Sequence, residues 1–180
     1  MRMFIAIEFE PEVREYLSEV QKKFLPVSRR GNFTDIDNLH LTLKFIGEVE
    51  RDDIDYLAQA VREVGSANKC FSLNLSHLGF FPKGNRTIVW AGVEESQPLL
   101  RLFGSLEKSL MRQGFPRERK GLSPHITLGR EVDLTEKFDT IKAQIPLDKK
   151  QIKVTKISLM ESKRMGAKLV YKPVYVQLLK

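Results

Sequence analysis

The sequence predicts an α+β protein in which two pseudo-symmetric lobes of mainly antiparallel sheet, with helices packed outside, enclose a central groove. Apolar residues at helical spacing alternate along the chain with segments rich in Val, Ile, Phe and Thr. Short turns, rather than long linkers, separate these segments. A short motif, His-[Leu/Ile]-Thr-Leu, occurs twice, which indicates a duplicated lobe related by an approximate two-fold axis.

Four segments are predicted to be helical because apolar side chains recur on one face. The first begins at Pro11, and the third begins at Pro98 and stops near Gly114. The second follows the acidic stretch RDDID, which suits a helix N-terminus. A fourth, weaker helix is predicted over 134–143. The apolar positions of the first three are Val13, Leu17, Val20 and Phe24; Ile54, Leu57, Ala58 and Val61; and Leu99, Leu102, Phe103, Leu106 and Leu110.

Seven segments are predicted to be strands because β-branched and aromatic residues dominate them. Phe71, Leu73 and Leu75 alternate with polar residues, which indicates a sheet with one solvated face. The last two segments are predicted to form a hairpin through the loop ESKRMGAK. The predicted strands are 3–9, 40–46, 71–78, 87–93, 125–128, 152–160 and 169–178.

The bulk composition limits the classes of protein to consider. The 180 residues contain no Pro-, Gly- or Ser-rich linker, so one domain spanning 1–180 is expected, as a monomer. Cys70 is the only cysteine, and no stretch has the roughly 20 apolar residues of a membrane helix, so a cytoplasmic location away from membranes is expected. The net charge of +7 favours polyanionic partners, foremost nucleic acid.

The repeated motif places an imidazole and a hydroxyl on the same side of a strand. Residues i and i+2 of a strand share a face, so His40 lies beside Thr42, and His125 beside Thr127. The intervening aliphatic residues point to the opposite, buried face. An approximate two-fold axis would then set the two histidines against each other across the groove.

Two opposed imidazoles suit the hydrolysis or transesterification of a phosphodiester. A neutral imidazole takes a proton from the attacking oxygen, and a protonated one gives a proton to the departing oxygen. Histidine holds either state near neutral pH. Threonine hydroxyls and a nearby cation would stabilise the charge that develops on the phosphoryl oxygens. This scheme requires neither a metal nor another cofactor.

Three alternatives remain open at this stage. A metal-dependent hydrolase would normally need three protein ligands, and neither HExxH nor clustered Cys/His spacing is present. A non-catalytic RNA-binding module should carry aromatic platforms or a recognisable RNA-binding signature. A phosphodiesterase acting on another cyclic nucleotide or small cyclic phosphate would share the same two-histidine groove.

The sequence resembles the bacterial and archaeal RNA 2′,3′-cyclic phosphodiesterases of the LigT/ThpR type, in the two-histidine phosphoesterase superfamily. The resemblance spans nearly the whole chain and is carried by MRMFIAIEF, NLHLTLKFIGEV, GFFPKGNRTIVWAGV, SPHITLGR and SLMESKRMGAKLVY. It implies the bilobal fold and hydrolysis of a terminal 2′,3′-cyclic phosphate on RNA to a 2′-phosphate. It also implies reversible 2′–5′ RNA ligation in some members. The implied partner is RNA with such an end, tRNA fragments being one candidate.

The resemblance also implies roles for individual residues. His40 would be the proton donor to the 3′-oxygen and His125 the proton acceptor that activates water, although the two motif copies alone do not distinguish these roles. Thr42 and Thr127 would bind the phosphate. Arg130 would reach the phosphate only if a β-bulge near Gly129 broke the strand alternation.

Strict alternation makes further predictions for the first motif strand. It places Lys44 on the His40 side, where a solvated lysine is expected, and Phe45 in the core. Other residues are considered on position alone: Arg29, Arg30, Phe33 and Tyr171 as RNA contacts, and His77 and Trp90 as structural residues.

Overall fold

Two antiparallel β-sheets and four α-helices make up the computed structural model, which describes residues 1–180. The strands are β1 (Arg2–Glu8), β2 (Ser28–Phe33), β3 (His40–Glu48), β4 (Phe71–Lys83), β5 (Arg86–Val93), β6 (His125–Leu134), β7 (Gln151–Val154), β8 (Lys156–Met165) and β9 (Lys168–Leu178). The helices are α1 (Pro11–Phe24), α2 (Asp53–Ala67), α3 (Gln97–Arg112) and α4 (Phe138–Gln144). None of these helices is both long and apolar enough to span a membrane.

The strand order is β3-β1-β8-β9 in the first sheet and β2-β6-β5-β4-β7 in the second. A similar order of strands and helices therefore occurs twice along the chain. Apart from the additional strands β2 and β7, in each repeat a strand, a helix and an antiparallel strand are followed by a second helix and a third strand, which is β4 in the first repeat and β8 in the second. The third strand joins the other repeat's sheet: β4 pairs with β5, and β8 pairs with β1. This confirms the predicted α+β fold and its pseudo-symmetry, with the final strands exchanged between the two lobes.

One apolar core of 37 buried residues runs through both lobes. It receives the buried faces of the helices, including Leu17 and Phe24 of α1, and the inward faces of both motif strands. The helix ends follow the predicted signals, with Pro11 in the first turn of α1 and the Ser96 side chain accepting a hydrogen bond from the Leu99 amide at the start of α3.

The structure corrects several predicted boundaries. The segment predicted as one strand over 152–160 is two, because the chain leaves the second sheet after Val154 and enters the first sheet at Lys156. β2 was not predicted, and α4 begins at Phe138 because β6 continues to Leu134. The predicted β8–β9 hairpin is present, but its turn is shorter than ESKRMGAK, since β8 extends to Met165.

Candidate active site

The two repeated motifs form the first halves of β3 and β6, which approach within 8 Å between Cα atoms although they belong to different sheets. Both strands show the same burial pattern: histidine and threonine are partly exposed, and the aliphatic residues that alternate with them are buried. The structure thus places His40, Thr42, His125 and Thr127 on the groove-facing side of their strands, as strand alternation predicts.

A main-chain carbonyl orients each histidine. Nδ1 of His40 lies 2.6 Å from the carbonyl oxygen of Asn38, and Nδ1 of His125 lies 2.7 Å from that of Ser123. A carbonyl oxygen can only accept, so Nδ1 carries the hydrogen in both rings. Each neutral imidazole therefore has its lone pair at Nε2. Nε2 of His40 is 2.9 Å from Oγ1 of Thr42.

Both motif strands contain a β-bulge at the same motif position. In the β1–β3 ladder, Thr42 pairs with Ala6 and Lys44 with Ile5, so Leu43 is the extra residue. In the β5–β6 ladder, Thr127 pairs with Trp90 and Gly129 with Val89, which leaves Leu128 as the extra residue. A bulge reverses the alternation beyond it. The residues five positions after each histidine consequently turn towards the groove.

This bulge brings Arg130 and Phe45 to the site. Arg130 lines the same cavity as His40, as the expected break near Gly129 requires. Phe45 is 60% exposed and lines that cavity too, so its predicted place in the core is wrong. The predicted solvated position of Lys44 is also wrong, because the bulge turns this side chain into the core, where it is 7% exposed.

Lys44 has buried partners that connect the two motifs. Its Nζ lies 2.7 Å from Oε1 of Glu107 on α3 and donates a 2.8 Å hydrogen bond to the carbonyl of Pro116. The other carboxylate oxygen of Glu107 accepts from the amide of Glu118. The first motif strand is thereby attached to the loop that leads into the second motif.

Aromatic rings surround both imidazoles. The His40 ring packs 4.9 Å from Phe4 and edge-on at 5.2 Å from Tyr171, between ring centroids. The His125 ring packs edge-on at 5.1 Å from Phe81, with Trp90 at 6.1 Å. Each histidine is thus held on its side by an apolar surface that also limits its access to water.

Burial lowers the pKa of His40, and the charges of Arg130 and His125 lower it further, while the bond to the Asn38 carbonyl and the Glu8 carboxylate act in the opposite direction. Burial also lowers the pKa of His125, with Arg130 acting in the same direction against the bond to the Ser123 carbonyl. These surroundings therefore favour two neutral imidazoles. An anion bound between them would offset Arg130 and raise both pKa values.

The two histidines differ in the residue that faces them on the neighbouring strand. In the β1–β3 ladder Glu8 is directly opposite His40, whereas in the β5–β6 ladder Gly92 is opposite His125. Directly opposite side chains lie on the same face, with Cβ atoms about 5 Å apart. Glu8 also accepts a hydrogen bond from Ser158 and lies 3.6 Å from Nζ of Lys156. Only His40 has a carboxylate neighbour of this kind.

Asn38 is a site residue that the sequence analysis missed. Besides its carbonyl, which holds His40, its side chain donates to the carbonyl of Leu169 at 2.7 Å and accepts from the amide of Tyr171 at 3.1 Å. It thereby fixes β9 beside the first motif. Asn38 and Ser123 both precede their histidines by two residues, and this shared spacing was a usable signal.

The other residues considered from the sequence lie in different surroundings. Tyr171 and Phe33 line cavities that open beside Arg130, whereas Arg29 and Arg30 form ion pairs with Asp133. His77 is exposed and packs edge-on against Trp90. No group of three or more His, Cys, Asp or Glu side chains is arranged to hold a metal ion.

Comparisons with known proteins agree with this geometry. Residues 9–166 match the family model of the 2′-5′ RNA ligase superfamily. The chain is 30% identical over 176 residues to an RNA 2′,3′-cyclic phosphodiesterase of Thermotoga maritima, covering 97% of this chain and 94% of that protein. It is 31% identical over 134 residues to one of Escherichia coli K12, covering 72% of each. The crystal structure of E. coli LigT complexed with 3′-AMP superposes with a TM-score of 0.83 at 27% identity, covering 99% of this chain and 97% of that one.

Proposed function

The chain belongs to the 2′-5′ RNA ligase superfamily, and from this premise we propose that it is an RNA 2′,3′-cyclic phosphodiesterase that leaves a 2′-phosphate. The observation that carries the proposal is the matched pair of imidazoles, each with Nδ1–H bonded to a carbonyl and Nε2 turned away from it, where in His40 it meets the hydroxyl of Thr42. Its sequence similarity to RNA 2′,3′-cyclic phosphodiesterases of Thermotoga maritima and E. coli, and its structural similarity to E. coli LigT, support the same substrate class.

In the proposed reaction, water attacks the phosphorus of the cyclic phosphate and the bond from phosphorus to the 3′-oxygen breaks. Nε2 of His125 accepts the proton of the attacking water. Nε2–H of His40 gives a proton to the departing 3′-oxygen. The hydroxyls of Thr42 and Thr127 and the guanidinium of Arg130 donate to the non-bridging oxygens, where charge increases in the transition state.

The asymmetry between the two lobes supports the assignment of His40 as the acid. A group that must be protonated before the reaction benefits from a nearby carboxylate, and a group that must be neutral does not. Glu8 lies opposite His40, while glycine lies opposite His125. The two motif copies are almost identical in sequence, and this difference in their surroundings supports different roles for the two histidines.

We propose that the reaction needs no metal, since the two imidazoles supply both proton transfers and Arg130 supplies a positive charge. The same groups would run the reverse reaction with a 5′-hydroxyl in place of water, which would give 2′–5′ ligation. The proposed partner is RNA, which is the substrate. The enzyme is proposed to act as a monomer. A cyclic phosphate on a smaller molecule would use the same groups.

The proposal is tested by replacing each histidine and measuring hydrolysis of a short RNA that ends in a 2′,3′-cyclic phosphate. His40→Ala and His125→Ala are each expected to lower kcat by about a hundredfold or more, because each removes one proton-transfer group. Arg101→Ala is the control, because it removes an exposed cation of α3 that lines neither cavity beside the histidines; it should stay within about tenfold of wild type. Near-normal turnover in either groove variant would reject the assigned chemistry.

A further inference from the structure

The cavity beside His40 has a neighbour that shares part of its lining. A cavity of about 470 Å³ contains His40 and Arg130, and a neighbouring one of about 710 Å³ begins at the same wall. Arg130, Arg164, Leu169 and Tyr171 line both cavities. The second cavity then continues past the tip of the β8–β9 hairpin, where Lys168 lies. A polymer bound at the histidines therefore has a continuous groove in which to extend.

Cations without carboxylate partners line this extended groove. Arg2, Arg130, Arg164 and Lys168 line these cavities and have no carboxylate oxygen within 4.0 Å. The two acidic residues of the second cavity are already engaged. Glu131 is paired with Lys83 and Arg86, and the Asp35 side chain accepts from the amide of Asp37. The groove is thus left with an excess of positive charge.

The β8–β9 hairpin leads from the wall of the His40 cavity towards its tip, where Lys168 lines only the second cavity. Met160 of β8 packs against Phe4, which in turn contacts His40. Arg164 is four residues farther along the strand, which corresponds to about 13 Å at the usual rise per residue. Asn38 fixes the neighbouring β9 backbone through Leu169 and Tyr171, so this end of the hairpin is anchored to the catalytic motif.

We propose that the β8–β9 hairpin binds the RNA chain upstream of its cyclic phosphate, with Arg164 and Lys168 contacting phosphodiesters on the 5′ side of the terminal nucleotide. This inference rests on the proposed function and specifies its substrate as a polymer rather than a cyclic mononucleotide. The strand that fits is single, because partly exposed aromatic rings, Phe33 and Tyr171, line the groove beside the cations. Exposed guanidinium and ammonium groups at the two strand ends that flank the turn suit contacts to the RNA backbone rather than to particular bases.

The inference is tested by binding, which needs no catalysis. The probe is a fluorescently labelled eight-nucleotide RNA that ends in a 2′-phosphate, and its anisotropy is measured with wild type and with Arg164→Ala/Lys168→Ala. The double variant should weaken binding by roughly tenfold or more, since each replacement removes a charge-assisted contact. The slope of log K against log salt should fall by about 1.4, at roughly 0.7 for each lost phosphate contact to a single strand.

Arg101→Ala/Lys108→Ala is the matched control, because it removes two exposed cations of α3, away from both cavities. It should leave the salt slope unchanged. Equal weakening by both double variants would mean that overall charge alone attracts RNA, and it would overturn the inference. An unchanged affinity in the hairpin variant would overturn it too.

A second readout separates this inference from the proposed function. The ratio of kcat/KM for the cyclic-phosphate octamer to that for a cyclic mononucleotide should fall in the hairpin variant and hold in the α3 control. If wild type hydrolysed neither substrate, the proposed function would fail. A loss of octamer binding confined to the hairpin variant would still support the hairpin as an RNA-binding surface.

Discussion

The two proposed catalytic histidines have lowered pKa values, and a bound phosphodiester would offset one of the causes. Burial is the main cause for both, and Arg130 adds to it. A phosphodiester brings a negative charge next to Arg130 and both rings. Binding therefore favours the protonated form of the imidazole that must act as the acid, at the moment when the acid is needed.

This coupling predicts two bell-shaped pH profiles in different places. The profile of kcat/KM reports the free enzyme, in which both pKa values are lowered, and the profile of kcat reports the complex, in which the phosphate raises them. The kcat/KM profile should therefore lie at lower pH than the kcat profile. Steady-state kinetics across pH 5 to 9 on a cyclic-phosphate RNA measures both. Profiles in the reverse order would contradict the proposed electrostatics.

Glu8→Gln is expected to change one limb of the kcat/KM profile only. The carboxylate raises the pKa of His40, so its removal lowers that pKa, and the acid loses its proton at a lower pH. The basic limb should move to lower pH while the limb that reports His125 stays in place. Glu8→Asp should restore the wild-type profile in large part. A uniform loss of rate with neither limb displaced would indicate a purely structural role for Glu8.

At the residue scale, the sequence identified the histidines and threonines because their motif occurs twice. It did not identify Asn38, whose spacing of two residues before its histidine was a usable signal, or Glu8, which acts through strand pairing. Glu8 is far from His40 in sequence and meets it only through the β1–β3 register. A single sequence carries no direct signal for such a pairing.

The element that most affects the site is the β-bulge shared by β3 and β6. Strict alternation predicted the wrong side for Lys44 and Phe45, because an extra residue at Leu43 reverses the face of everything after it. The requirement for a bulge was foreseen only near Gly129, where a glycine marked the position. In β3 the equivalent residue is Lys44, which offered no such hint.

The buried pair between β3 and α3 should contribute measurably to stability. Lys44→Met leaves Glu107 buried without its cation, and the free energy of unfolding should fall by about 3–5 kcal/mol. Lys44→Met/Glu107→Leu removes both charges and should recover most of that loss. Lys22→Met is the control, since it breaks an exposed pair with Glu19 and should change the free energy by less than about 1 kcal/mol. Urea unfolding measures all three; a loss in Lys44→Met no larger than the control's would contradict the buried pair.

Two strands were mispredicted for reasons of local sequence. β2, with the sequence SRRGNF, is mostly exposed at the edge of its sheet and so lacks the apolar alternation that marks a strand. β7 and β8 are separated only at Thr155, without glycine or proline, although they belong to different sheets. The helices were predicted well because their apolar stripes and end signals are local.

At the scale of the whole molecule, each repeat contributes its third strand to the sheet of the other repeat, so both repeats together form the groove. β4 completes the second sheet and β8 the first, so neither sheet is built from one continuous stretch of chain. The repeated motif predicted two related lobes, but it could not predict this exchange, since strand partners are chosen by long-range packing. The two histidines consequently lie on different sheets that are packed on one shared core.

The net charge of +7 also has a more specific meaning in the folded molecule. Of the basic clusters in the sequence, Arg29-Arg30 and Lys149-Lys150 form ion pairs with nearby carboxylates. Arg164 and Arg130 remain without such partners beside the histidines. Sequence charge alone indicated a polyanionic partner, and the fold places several unpaired cations in the groove where that partner is proposed to bind.

The most direct test of the central claim is to incubate the protein, with excess EDTA, with a short RNA that ends in a 2′,3′-cyclic phosphate, and to identify the terminal phosphate of the product. Acid–base catalysis by His40 and His125 predicts a 2′-phosphate end, formed in the presence of EDTA and lost in both alanine variants. No product in EDTA, with recovery on addition of a divalent metal, would contradict it. A 3′-phosphate product would contradict the proposed direction of ring opening.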